Sequence, residues 1–247
     1  MNAPSLYRRP LGGLLTLGGW RVLPALLLCA VMAGCATSPA RDPRDPFESF
    51  NRQVDQFNEA VDKAVLKPVA TTYSQVAPDP LRTAISNFFG NLSDIWSTLN
   101  TALQLRGEDT ATNFMRVNIN TVFGLGGLID IASDVGLYRN RADFGQTLGF
   151  WGVPPGPYVV LPLLGPSTVR DTVGMGVESR GDLIMNLDNV SNRNGLYLLR
   201  AVETRAGLLR AGAVLDEAAL DKYSFAREVF LKRRQNVIDE QRNRDDE

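Results

Sequence analysis

Residues 81–103, LRTAISNFFGNLSDIWSTLNTAL, carry the pattern that decides the fold. Leu81, Ile85, Phe88, Phe89, Leu92, Ile95, Trp96, Leu99 and Leu103 recur at steps of three and four, so the segment is a long amphipathic helix. Its other face is Ser, Thr and Asn, and Asp94 is the only charge between Arg82 and Arg106. Helices that lie on a membrane surface usually carry a basic polar face. A neutral one suits a helix with lipid on one side and a sheltered polar surface on the other. A helix buried in an ordinary core is the alternative.

The flanking segments read as helices too. Phe47, Phe50, Val54, Phe57, Val61 and Val65 form an earlier helical stripe, which Pro68 ends or bends. A second break surrounds Pro78 and Pro80. Thr110 to Val122 is a helix with Phe114, Val117 and Thr121 on one face. Later helices span Gly195 to Ala213 and Leu220 to Ile238. The exception is a block from Asp143 to Pro166, which holds five of the 14 prolines between Pro154 and Pro166. Two short β-leaning runs there flank Pro154-Pro-Gly-Pro157, which predicts a hairpin or rigid extended loop turning at those prolines. Pro162 argues against a central strand. The fold class is mainly α with one short proline-rich hairpin.

Charge is spread unevenly. From Arg41 to Pro80, 12 of 40 residues are charged, and from Arg200 to Glu247 20 of 48 are, but from Leu81 to Arg170 only 12 of 90 are. Globular chains average about one in four. The middle is therefore either unusually well buried or laid against lipid, and it has no apolar run long enough to cross a bilayer. Lys232, Arg233 and Arg234 read as a solvated basic face, and the tail 239–247 as charged and disordered.

The first 34 residues carry Arg8, Arg9 and Arg21, no acidic residue, and an apolar run from Val22 to Ala33. This describes an export signal, residues 1–34. Met32-Ala33-Gly34-Cys35 resembles a bacterial lipobox, which makes Cys35 the lipidated mature N-terminus and 35–44 a polar tether. Ala36, where sorted lipoproteins retained in the inner membrane have aspartate, favours the outer membrane. Cys29 leaves with the signal, so the mature chain has no disulfide. It has 213 residues, with 23 basic against 27 acidic side chains and no basic stripe for nucleic acid.

Histidine is absent from the whole chain, which removes the usual general base and the commonest metal ligand. No metal site or cofactor is expected. Gly124-Leu-Gly-Gly127 lacks the spacing and preceding strand of a dinucleotide site and reads as a turn. An enzyme reading would rest on Asp143 or Asp171 with Ser167 and no base beside them.

Asp45-Pro-Phe-Glu-Ser-Phe-Asn-Arg52, Phe57-Asn58, Pro68 and Tyr73 resemble the start of the mature MlaA (VacJ) lipoproteins. The resemblance continues through Asn87, Asn91, Asn100, Gln104, Arg116, Asn118-Ile-Asn-Thr121 and Gly124-Leu-Gly-Gly-Leu-Ile-Asp130. It is strongest at Phe144-Gly-Gln-Thr-Leu-Gly, Trp151-Gly-Val, Gly156-Pro-Tyr and Leu161-Pro-Leu-Leu-Gly-Pro-Ser, and extends over Arg170-Asp171, Glu203-Thr-Arg-Ala206 and Tyr223 to Arg234. Pro154-Pro155 and Met115 depart from the usual pattern. The resemblance implies one helical domain, residues 45–238, forming a ring of amphipathic helices in the plane of the outer membrane's periplasmic leaflet. Its amphipathic channel would remove phospholipids that have strayed into the outer leaflet. A soluble periplasmic carrier, MlaC-like, would receive them, and a trimeric porin would be the membrane partner. Phe57, Asn58, Asn100, Asn118, Asn120, Trp151 and Tyr158 are then candidates for lining or gating the channel. Phe88, Phe89, Ile95 and Trp96 are candidates for facing the membrane. A phospholipase or acyltransferase acting on the same lipid, and a purely structural tether, are the rival readings.

Overall fold

The computed structural model describes residues 42–218 and 220–243. Cys35, the signal segment, the tether up to Arg41 and residues 244–247 lie outside them. Helix α1 (Glu48–Val61) passes through a π-helical turn, Asp62–Leu66, into α2 (Lys67–Val76). Pro68 explains the wide turn. Its ring cannot donate and would crowd the carbonyl four residues back, so the chain inserts one i→i+5 turn ahead of it, Lys67 N donating to Asp62 O. Helix α3 (Asp79–Leu103) starts after extended Pro78 and is antiparallel to α4 (Gly107–Val122), its main partner. A glycine turn leads to the short α5 (Ile131–Asp134), capped by Asp130.

Helix α6 (Phe144–Phe150) opens with a capping box: Gln146 N donates to Asp143 Oδ1 at 2.8 Å, and Gln146 Oε1 accepts from Asp143 N at 3.4 Å. Strands β1 (Tyr158–Leu161) and β2 (Gly165–Thr168) pair antiparallel, with Tyr158 opposite Thr168 and Leu161 opposite Gly165. The hairpin is where the proline block predicts it, but its turn is Pro162-Leu-Leu164, with Leu163 at φ +64°. The run before Pro154 is not a strand: the capping box starts α6, which ends at Phe150, and Trp151 and Gly152 form the turn that follows. Helix α7 (Val169–Gly181) follows β2 directly, Thr168 capping it through Asp171 N. The Gly195–Ala213 helix is in fact two, α8 (Val190–Gly207) and α9 (Leu209–Ala218).

The last helix, α10 (Lys222–Asn243), corrects the disordered tail: Ile238 and Gln241 are buried, and Arg242 Nε donates to Phe150 O at 3.1 Å. The tether is corrected at its other end. Arg44 O accepts from Tyr158 N at 2.8 Å, and buried Asp45 accepts from Asn51 Nδ2 at 2.8 Å and Arg227 Nη1 at 2.9 Å. Among the described residues the packing thus reaches back to Asp42.

The apolar core is small: Val54, Tyr158, Val160 and Tyr223, with Phe230 and Leu231 against them. Tyr158 meets Tyr223 and Phe230 edge-on, centroids 6.2 Å apart in both pairs. Among the described residues, twenty polar or charged residues are buried against ten hydrophobic ones. Soluble domains show the reverse preference. This interior is organised by hydrogen bonds.

Candidate functional site

Helices α3 and α4 are turned inside out. The buried residues of α3 are Phe89, Asn91, Asp94, Ser97, Asn100 and Thr101, and those of α4 are Asn113, Arg116 and Asn120. Their outward faces carry Leu99, Leu103, Phe114, Met115 and Val122, each at least half exposed, and the belt continues through Leu105, Phe123, Leu125, Leu128 and Ile129. Exposed apolar surface on this scale marks contact with another apolar body. Among the described residues no helix is long and apolar enough to cross a membrane.

Each inward polar residue has a hydrogen-bond partner within the protein, some across the helix pair and others beyond it. Arg116, fully buried, donates from Nε to Asp94 Oδ2 at 3.3 Å, from Nη2 to both oxygens of Asp130 at 3.0 Å, and from Nη1 to Ser133 Oγ at 3.1 Å and to Leu137 O. Arg139 pairs with the other Asp94 oxygen at 2.6 Å. Burial pushes the Asp94 carboxyl up, against the pull of Arg139 and Arg116. Burial also works against Asp130, but hydrogen bonds from Ser133, Asn120 and Arg116 outweigh it and bring that carboxyl to about 2. Asn91 Nδ2 donates to Thr121 Oγ1 at 3.0 Å, and Asn120 bridges Asp130 and the Ala132 amide at 2.9 Å each. Asn100 accepts from Thr147 Oγ1 at 2.8 Å, and Gln104 donates to the same hydroxyl at 2.9 Å, which ties α3 to α6.

A second constellation joins α1 to the hairpin. Asn51 and Asn58, seven residues apart and so on one helix face, act as a surrogate strand along β1. Asn51 Nδ2 donates to Tyr158 O at 3.0 Å and its Oδ1 accepts from Val160 N at 2.9 Å. Asn58 Nδ2 donates to Leu161 O at 2.9 Å and its Oδ1 accepts from Leu163 N at 2.7 Å. These amides satisfy an edge that would otherwise stay open. Asn58→Ala is expected to free the turn at a local cost of ~1–2 kcal/mol. Amide exchange should then accelerate at Leu163 but not at Val160, which Asn51 still holds. Equal acceleration at both would mean the two asparagines do not act separately.

A third joins α6, α7 and α10. Gly174 crosses Gly145 so closely that a Cβ on Gly174 would lie 2.6 Å from Gly145 N. Arg234 pairs with Asp143 and, at 2.8 Å, with Asp171, whose carboxyl stays below the usual range because Arg234 and Arg170 outweigh its burial. Arg234 is therefore an interior clasp, which corrects, at this residue, the solvated face read for Lys232, Arg233 and Arg234. Asp143 and Asp171 are spent on it, and Ser167 Oγ lies 3.0 Å from Thr172 Oγ1.

The candidate lining residues fall in two surroundings, buried and exposed. Asn100, Asn120 and Tyr158 are buried and bonded within the protein, because neutral polar side chains are what this interior is packed with. Asn118 is exposed and donates to Phe114 O at 2.7 Å. Phe57 and Trp151 are more than half exposed, and Trp151 Nε1 donates to Leu103 O at 3.0 Å. Of the candidate membrane-facing residues, Phe89 is buried and corrects that assignment, edge-on to half-buried Phe88 at 5.4 Å. Ile95 and Trp96 are also half-buried, Trp96 lying where any side chain on Gly181 would collide with it. The outward row sits at Leu99 and Leu103, one turn and more further on.

The sequence profile of the MlaA lipoproteins matches residues 43–237. The chain belongs to the MlaA lipoprotein family. It is 35% identical over 218 residues to the intermembrane phospholipid transport system lipoprotein MlaA of Escherichia coli (strain K12), covering 85% of this chain and 86% of that one. The Haemophilus influenzae MlaA is 32% identical over 228 residues, 89% and 90% of the two chains. An uncharacterised Rickettsia typhi protein is 42% identical over 127 residues, and the match spans about half the length of that relative, 51%. A solved structure from work on the maintenance of bacterial outer membrane lipid asymmetry superposes with a TM-score of 0.70 at 35% identity, over 80% of this chain and 100% of that one. The mainly helical MlaA fold read from the sequence is the fold observed.

Proposed function

We propose that this chain is an outer-membrane lipoprotein, anchored through Cys35 on the periplasmic side, that removes stray phospholipid from the outer leaflet. The reading includes a ring of helices in the membrane plane, an amphipathic channel, a trimeric porin as membrane partner and delivery to a soluble MlaC-like carrier. The observation that carries it is the inverted α3–α4 pair, with exposed Leu103, Phe114 and Val122 outside and Asp94, Arg116 and Asn120 inside. A phospholipid headgroup loses water without gaining partners in hydrocarbon, which makes unaided crossing costly. A protein that is apolar outside and internally hydrogen-bonded can stay in the leaflet, and the reading assigns the headgroup's polar partners to the channel wall, not to these buried pairs. This reading assigns gating to Phe57 and Asn58 on α1, where Asn58 is bonded to the hairpin, with the stiff proline block bracing one wall of the channel.

The test pairs two assays on the lipidated protein in vesicles: phospholipid transfer to a soluble carrier, and phospholipid hydrolysis. Transfer without hydrolysis is expected. Hydrolysis would favour the phospholipase alternative and sink the transport reading. Cys35→Ala should abolish lipidation and outer-membrane fractionation; unchanged fractionation would show that the anchor is dispensable.

A further inference from the structure

Between the last turns of α3 and the first turns of α4 lies an open groove of about 480 Å³, within the range of small-molecule sites. Thr98 and Ala102 form one bank, Gly107 and Ala111 the other, and Leu105 and Phe114 stand at the sides. We propose that this groove binds a single acyl chain of a bilayer phospholipid. The inference rests on the membrane contact of the α3–α4 face proposed above.

The groove offers a ligand nothing but carbon. Its two hydroxyls are spent on their own helices, Thr98 Oγ1 donating to Asp94 O and Thr110 Oγ1 to Arg106 O, each at 2.7 Å. No charged residue lines it. The adjacent Arg106 and Asp109 are paired with each other and mostly buried. The groove is also continuous with the outward apolar belt: Leu99 and Leu103 flank it on α3, and Met115 extends it on α4, all at least half exposed. A protein partner's docking patch is normally rimmed by polar groups. Here apolar surface runs on past both banks, which is the surrounding a lipid chain meets. The space at Gly107 is unfilled, since a Cβ there would have no neighbour within 4 Å. A methylene chain lying in the groove fills it with van der Waals contact and displaces no hydrogen bond.

The experiment uses the full lipidated chain in phosphatidylethanolamine vesicles doped with a phospholipid carrying a diazirine midway along one acyl chain. After photolysis, adducts are mapped by peptide. Adducts at residues 98–114 are expected to exceed those at belt residues 122–129. The double variant Gly107→Leu, Ala111→Leu fills the groove from two exposed, unclashing positions. It should cut groove adducts on the order of tenfold, because the two leucine side chains occupy the space and the packing contacts the chain would take, while belt adducts stay constant. Unchanged helicity and melting would confirm that the variant is folded. Groove labelling no higher than the belt, or unaltered by filling, would overturn the inference and leave the membrane contact standing. Protein–protein adducts through the groove would assign it to a second copy instead. An unlabelled belt would overturn the membrane contact itself.

Discussion

Replacing Arg116 with methionine should lower the midpoint of thermal unfolding by on the order of 10 °C, because removing one partner of a buried ion pair costs ~3–5 kcal/mol in a domain of this size. The guanidinium is fully buried and serves Asp94, Asp130, Ser133 and the Leu137 carbonyl at once. Methionine fills comparable volume but strands both carboxylates. Asp94 would then keep only Arg139. Asp130 would lose one of the hydrogen bonds that hold its carboxyl low, and its remaining partners, Ser133 and Asn120, are neutral. Arg116→Lys restores the charge but not the fork, so it should recover only part of the loss. Asn118→Ala, two residues away on the exposed face, should stay within ~0.5 kcal/mol of the parent. A melting curve unmoved by Arg116→Met would show that the network does not organise the interior.

The second large effect concerns the outside of the same helix pair. In a Cys35→Ala background, where the acyl anchor is gone, Phe114→Asp combined with Val122→Asp should weaken vesicle co-sedimentation on the order of a hundredfold, because charge is costly in hydrocarbon. Phe114 and Val122 are 59% and 69% exposed and eight residues apart, so both lie on the outward face. Stability in detergent should barely change, as neither side chain is packed. Phe89→Asp provides the contrast: Phe89 is 5% exposed, so its substitution should unfold the helix pair. If the double variant still sediments with vesicles, the exposed face does not touch lipid.

The long helices were legible because periodicity survives whatever a helix faces. Leu81–Leu103 was read almost to its ends, and the hairpin was placed by its prolines. Which face points inward was harder. Periodicity marks two faces but not which one is buried, and here Asn91, Asp94 and Asn100 go in while Leu99 and Leu103 stay out. The low charge of the middle segment was the signal that the usual rule was inverted, and it identified a sheltered polar face. It did not separate Phe89 from Leu99, because that difference comes from where α4, α6 and α8 pack against α3. The asparagines drawn as channel candidates illustrate the same limit. Asn100 and Asn120 are what a polar interior is made of, and spacing alone does not distinguish packing from lining. Asn51, the residue that holds β1, lay inside the quoted Asp45–Arg52 motif, yet its partners are more than 100 residues away in the chain. Arg234 was hidden for the same reason: its carboxylates sit on α6 and α7, brought near by the Gly145–Gly174 crossing.

The polar interior also sets how the protein responds to temperature. Exposing apolar surface raises the heat capacity on unfolding by about 0.45 cal/mol/K per Å², whereas exposing polar surface lowers it by about 0.26. Among the described residues twenty polar ones are buried against ten hydrophobic ones, which places those two contributions in opposition. A broader and shallower stability curve is therefore expected than for an apolar core of the same size, with less weakening on cooling. An organism that meets wide swings of temperature would keep this protein folded over most of them without altering its sequence.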